Sequence, residues 1–99
     1  MSFSDTSYYY RLEGTILKAI CQDNDGNEKE ASLDLNTVLG NSNGVFDTQG
    51  TNFSDNAMNY GMNSFVLVSR LSDDNGNWCD AGINLNAVVK NNDGKLEKA

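Results

Sequence analysis

Leu17-Lys18-Ala19-Ile20-Cys21-Gln22-Asp23-Asn24-Asp25-Gly26-Asn27, followed by Ala31-Ser32-Leu33-Asp34-Leu35, is the stretch that decides the fold. Leu17, Ala19 and Cys21 alternate with Lys18 and Ile20, and Ala31, Leu33 and Leu35 alternate with Ser32 and Asp34. A period of two on both arms is the mark of half-buried strands, and the polar run ending in Gly26-Asn27 between them makes a turn, so the whole is a β-hairpin. Fifty positions later the pattern returns: Leu67, Ser69 and Leu71, the turn Asp73-Asp74-Asn75-Gly76-Asn77, then Ala81, Ile83 and Leu85.

Outward from these hairpins the same register holds across the chain without a gap. Phe3-Ser4-Asp5 falls on Phe53-Ser54-Asp55, Tyr10 on Tyr60, Val38 on Val88, Asn41 on Asn91 and Gly44 on Gly94. The chain is one unit written twice, 1–50 and 51–99, which leaves room for two equivalent sites. After each hairpin a short apolar pair sits in a polar frame, Asn36-Thr37-Val38-Leu39 and Asn86-Ala87-Val88-Val89, with room for one helical turn and Asn as its cap. Turns follow at Asn41-Ser42-Asn43-Gly44 and Asn91-Asn92-Asp93-Gly94, then strands from Val45-Phe46 and Lys95-Leu96. Tyr8 to Glu13 and Met58 to Asn63 are read as the first strand, or an irregular lead-in, of each unit. Asp47-Thr48-Gln49-Gly50-Thr51 is the natural hinge between units.

A chain of 99 residues fits one domain, whereas each half is near the lower limit for a self-sufficient core, so the halves are expected to share one. With 14 acidic and 7 basic side chains, the net charge of −7 opposes nucleic acid and anionic membrane surfaces as partners. Cys21 and Cys79 stand at unrelated places in the repeat and are read as free thiols, Cys21 in the core. The absence of a leader-like N-terminal segment and of a spanning apolar run leads to the expectation of a cytoplasmic protein, with non-classical export open.

The chain has no His, which removes the usual general base near neutral pH and most zinc and triad arrangements. The acidic pair Asp73-Asp74 sits in a hairpin turn, where Asp is favoured for local hydrogen bonds. Asp23-Asn24-Asp25-Gly26 and Asp73-Asp74-Asn75-Gly76 look like calcium-loop fragments, but counting back from either Gly puts Cys21 or Leu71 at the first ligand position. No cofactor and no metal are expected. What recurs instead is a supply of Asn, Asp, Gln, Ser and Thr in matched loops, suited to the vicinal hydroxyls of a sugar, which both donate and accept.

The stretch Ser32-Leu33-Asp34-Leu35-Asn36-Thr37-Val38 with Asn41-Ser42-Asn43-Gly44, then Asn52-Phe53-Ser54, then Ile83-Asn84-Leu85-Asn86 with Asn91-Asn92-Asp93-Gly94-Lys95-Leu96, resembles the cyanovirin-N homologue family of mannose-binding lectins over nearly the whole chain. The resemblance implies an all-β fold of two pseudo-symmetric lobes. Each is a three-stranded antiparallel sheet plus a β-hairpin, with strand exchange between the repeats and short 3-10 turns. Lobe A would take residues 1–38 and 88–99, and lobe B residues 39–87. It implies a non-enzymatic protein that binds terminal α1,2-linked mannose on high-mannose oligosaccharides.

Carried over position by position, the lobe A cleft would use Ser2, Asp5, Thr6, Gln22, Asn24, Asn91, Asn92, Asp93 and Gly94, with Asp93 the central acceptor. The lobe B cleft would use Gly40, Asn41, Asn43, Thr51, Asn52, Phe53, Asp55, Asn56, Asp73 and Asp74. Lobe B departs further from the family: Asn43 replaces an acid, Gly40 a Glu, and Asp74 an Arg, so its site is expected to be weak or lost. Both intralobe disulfides of the best-known member are absent, Ser7 facing Cys21 and Ala57 facing Leu71. A monomer is expected, with a domain-swapped dimer open. The alternative reading is a protein-interaction or structural module that kept the fold while its sugar sites decayed, presenting a face such as that around Trp78.

Overall fold

The computed structural model describes residues 3–99. Its first sheet has β1 (Ser7–Glu13), β2 (Ile16–Gln22) and β3 (Glu28–Asp34) in the order β1-β2-β3, all antiparallel. A short hairpin follows, β4 (Gly40–Ser42) with β5 (Val45–Asp47). The second unit repeats the plan with β6 (Ala57–Asn63), β7 (Val66–Ser72) and β8 (Trp78–Asn84), then the hairpin β9 (Val89–Asn92) with β10 (Lys95–Lys98). Among the described residues the 3-10 turn Phe3–Asp5 leads into β1, and the turns Leu35–Thr37, Phe53–Asn56 and Leu85–Ala87 connect β3 to β4, β5 to β6 and β8 to β9.

The alternation read from the sequence is the burial pattern: Leu17, Ala19 and Cys21 of β2, and Leu67, Ser69 and Leu71 of β7, all face inward. Ser7 pairs with Cys21 and Ala57 with Leu71, and both cysteines are free thiols. In place of a bridge, Ser7 Oγ donates to Cys21 Sγ at 3.2 Å. In β1 and β6 the register slips by one residue, so that Tyr9-Tyr10 lie opposite Ala19 and Asn59-Tyr60 opposite Ser69. Each bulge puts a residue at positive φ, Tyr9 (53°) and Asn59 (55°). The next ring packs edge-on against the 3-10 turn, Tyr10 on Phe3 with centroids 5.6 Å apart and Tyr60 on Phe53 at 5.7 Å. Phe3 and Phe53 are fully buried.

Two features differ from the sequence reading. The capping groups are Asp34 and Asn84, two residues upstream of the expected Asn36 and Asn86, whose N–H groups they accept. Asn36 and Asn86 instead reach across to the other repeat: Asn36 Oδ1 accepts from Ser54 N (3.1 Å) and Asn86 Oδ1 from Ser4 N (3.1 Å). The second difference is that β4 and β9 are strands, where the sequence suggested only a turn. Their asparagines have poor strand propensity, but here the side chains bond neighbouring main chain, and that context overrides the intrinsic preference.

The short hairpins do not stay with their own sheets. β9–β10 lies against β3 through β10, and β4–β5 against β8 through β5. One continuous core results, drawn from both repeats: Leu35, Val38, Leu39, Phe46 and Phe53 join Leu85, Val88, Val89 and Leu96. The molecule measures 49 × 21 × 17 Å along its principal axes.

The β1–β2 turn has Gly14 at φ 60°, and the matching β6–β7 turn has Ser64 at 57°. A Cβ at Gly14 meets no atom within 4 Å, so substitution there isolates the backbone cost. Gly14→Ala is expected to cost about 1 kcal/mol, lowering the melting temperature by roughly 4 to 8 °C, whereas Ser64→Gly is expected to raise it. Thermal unfolding followed by circular dichroism checks both directions.

Candidate functional site

The β9–β10 hairpin turns on Asp93 and Gly94, at φ 53° and 87°. Positive φ at both central residues is the type I′ turn that Asp-Gly favours. Facing it is the β2–β3 loop, which orders itself: Asp23 Oδ1 accepts from Asp25 N (2.9 Å) and Asn27 N (2.8 Å), and Asp23 N donates to Asn27 O (2.8 Å). Asn24 N donates to Asp93 Oδ1 at 2.9 Å, joining the two walls. Below them, Asn91 Nδ2 donates to Thr6 Oγ1 (2.8 Å) and Gln22 O (2.9 Å), while its Oδ1 accepts from Gly94 N (2.9 Å). The hollow so formed has a volume of about 220 Å³ and is lined by Thr6, Gln22, Asp23, Asn24, Asn91 and Asp93.

Of the residues expected in this cleft, Thr6, Gln22, Asn24, Asn91 and Asp93 therefore come together. Asp5 is exposed in the 3-10 turn that leads into Thr6. Gly94 is buried behind the turn, and Asn92 Nδ2 donates to both Glu97 carboxylate oxygens at 3.2 Å. Ser2 lies outside the described residues. Two residues escaped the sequence reading. Asp23 lines the hollow with a side chain only 6% exposed, and Lys29 Nζ lies 3.6 Å from its Oδ2. The repeat held the signal for Asp23, because its counterpart Asp73 was picked in the second unit.

The second cleft is built by the same rules. Asn41 Nδ2 donates to Ser72 O (2.9 Å) and Asn56 O (3.4 Å), and its Oδ1 accepts from Gly44 N (2.9 Å). Asp74 N donates to Asn43 Oδ1 at 2.9 Å, the counterpart of the bond between Asn24 and Asp93. Asn41, Asn43, Asn56, Asp73 and Asp74 are thus gathered at this end. Gly40, Thr51, Asn52 and Phe53 are placed instead where the repeats cross. A Cβ on Gly40 would fall 2.9 Å from both Gly50 Cα and Thr51 N. Asn52 N donates to Asn36 O (2.7 Å) and Phe53 N to Leu39 O (3.0 Å), with Asp55 exposed beside them. Gly40 and Phe53 are buried. At the position of Lys29 stands Cys79, its Sγ 3.9 Å from Asp73 Oδ2.

Among the described residues there is no cluster of three or more His, Cys, Asp or Glu side chains suited to a metal ion, and no helix long and apolar enough to cross a membrane.

A family profile described as the CVNH domain matches residues 3–97. Among solved structures, a designed cyanovirin-N homologue lectin superposes with a TM-score of 0.93 at 34% identity, all of both chains being covered. The CVNH protein of Gibberella zeae gives 0.90 at 32% identity, over 97% of this chain and 95% of that one. Microvirin, solved in complex with mannobiose, gives 0.84 at 27% identity, over 99% and 98%. Among curated proteins, none matches.

Asp23 and Asp73, one in each cleft, titrate below the usual carboxylate range. For Asp23 and Asp73 the principal cause is the backbone N–H of Asn27 or Asn77, which outweighs the opposing effect of desolvation. A depressed folded pKa contributes stability that is present above the unfolded value, near 3.8, and lost as pH falls through the folded one. The melting temperature is therefore expected to hold from pH 7 to about 4 and to fall below it. The double variant Asp23→Asn, Asp73→Asn should melt earlier at pH 7 and have a shallower acid limb. Parallel acid limbs for the two proteins would contradict this.

Proposed function

The chain belongs to the cyanovirin-N homologue family of lectins, and from that premise we propose that it is a non-enzymatic lectin for terminal α1,2-linked mannose on high-mannose glycans, with its principal site in the cleft of Thr6, Gln22, Asn24, Asn91 and Asp93. We assign that cleft to a lobe A of residues 1–38 and 88–99, and the weaker one to a lobe B of residues 39–87. The observation that carries the reading is the state of Asp93. One carboxylate oxygen is fixed by Asn24 N at 2.9 Å, and the side chain lines an open hollow whose other walls are the Asp23 carboxylate and hydroxyl, carboxamide and main-chain groups. An anchored carboxylate with a second oxygen to offer suits adjacent sugar hydroxyls, and charge assistance roughly doubles such hydrogen bonds over neutral ones. The mannobiose bound by microvirin supports this ligand class.

The difference between the lobes follows from the same atom. Asn43 occupies the turn position of Asp93 and fixes its Oδ1 to Asp74 N in the same way. What remains of its side chain is an amide N–H₂, a donor where lobe A has an anionic acceptor. Lobe B is accordingly the weak site.

Titration of 15N-labelled protein with an α1,2-linked dimannoside is expected to move the amides of Gln22, Asn24, Asn91 and Asp93, with smaller changes at Asn41, Asn43 and Asp74. Asp93→Ala should weaken binding in lobe A at least about tenfold, by loss of a charge-assisted pair of hydrogen bonds. If the lobe A amides stay still at millimolar sugar, the reading fails. Asn43→Asp should strengthen the lobe B response, seen as a second set of shifting amides and a stoichiometry rising toward two by calorimetry.

A further inference from the structure

We propose that Lys29 is a positioning residue of the lobe A cleft, clamping its two walls together, and that its replacement by Cys79 is a second reason for the weakness of lobe B. The inference rests on the lectin reading above. It concerns a residue outside the hollow, which acts through its neighbours.

Three observations converge on this side chain. Its Nζ lies 3.6 Å from Asp23 Oδ2, the oxygen that the Asp25 and Asn27 amides leave unengaged. Its stem runs along the other wall, where a Cβ on Gly94 would stand 3.2 Å from Lys29 Cδ and 3.5 Å from Lys29 Cβ. Asp23 and Asp93 line the same hollow, so two carboxylates face one small space, and Lys29 is the cation paired with the inner of them. One side chain from β3 of the first repeat thus packs on the Asp93–Gly94 turn of the second and compensates the charge that would otherwise push that turn away. Asp23 is left as a neutralised wall and Asp93 as the uncompensated acceptor.

Lobe B shows the arrangement without the cation. Cys79 fills the same place, with its Sγ 3.0 Å from where a Cβ on Gly44 would be, so the packing against the turn is kept. Its thiol is 3.9 Å from Asp73 Oδ2 and brings no charge, while Asp74 adds a second carboxylate beside it. Restoring the acceptor in lobe B therefore restores only part of the site.

The test separates charge from packing. Lys29→Met keeps an apolar stem against Gly94 and removes the ammonium, whereas Lys29→Arg keeps both. With α1,2-dimannoside as probe, Lys29→Met is expected to weaken lobe A binding roughly threefold to fivefold, the size a partly exposed ion pair supports, with Lys29→Arg within about twofold of the parent. The melting temperatures of the two variants should agree within about 2 °C. In lobe B, adding Cys79→Lys to Asn43→Asp should tighten binding beyond Asn43→Asp alone. If the parent protein binds the sugar and Lys29→Met binds it equally well, or if Lys29→Arg is as weak as Lys29→Met, the inference is overturned while the lectin reading stands. If the parent itself gives no lobe A response, it is the lectin reading that falls.

Discussion

One carboxamide, that of Asn91, ties together what the sequence holds far apart. Both its N–H bonds go to the first repeat, to Thr6 Oγ1 and Gln22 O, and its carbonyl closes the Asp93–Gly94 turn of the second. Asn41 does the same in reverse, binding Asn56 and Ser72 of the second repeat while closing the Asn43–Gly44 turn of the first. A side chain used this fully is a fixture of the architecture before it is a ligand contact. The cleft exists because these two residues hold a hairpin from one repeat against the sheet of the other.

The exchange answers an energetic need. Each repeat offers a sheet with one apolar face and too little else to cover it, and at about fifty residues a lone unit is close to the limit for a stable core. Crossing over lets Phe46 and Leu39 of the first repeat pack in the same core as Phe53, Leu67 and Leu71 of the second, with Val89 and Leu96 returning the favour to Leu17 and Leu35. No disulfide staples either half. The reciprocal bonds of Asn36 to Ser54 and Asn86 to Ser4 mark the crossing as a specific joint.

The parts of this structure legible in the sequence were those governed by local periodicity. The hairpins of β2–β3 and β7–β8 follow from alternation and Gly-bearing turns, and the duplication follows from comparing Phe3-Ser4-Asp5 with Phe53-Ser54-Asp55. β4 and β9 were hidden because Gly40-Asn41-Ser42 has no strand propensity, and it is held extended by pairing with β5 and by the reach of the Asn41 side chain to Ser72 of the other repeat. The caps were misplaced for a related reason: Asn36 and Asn86 look like caps locally, but their side chains serve the other repeat. In the cleft, Asp93 was reached only through the family resemblance, which did not extend to Lys29. Its significance lies in a neighbour more than sixty residues away, and charge alone on an exposed strand looks like ordinary solvated surface.

The tight backbone approach at the crossing, with Gly40 set against Gly50 and Thr51, carries one more consequence. Because each sheet is completed by a hairpin from beyond that joint, the covalent link across Asp47–Thr51 is topologically dispensable once folding is over. A chain nicked there would keep its halves interlocked, each fragment supplying an organ the other lacks. The integrity of the lectin thus resides in mutual enclosure more than in the continuity of its polypeptide.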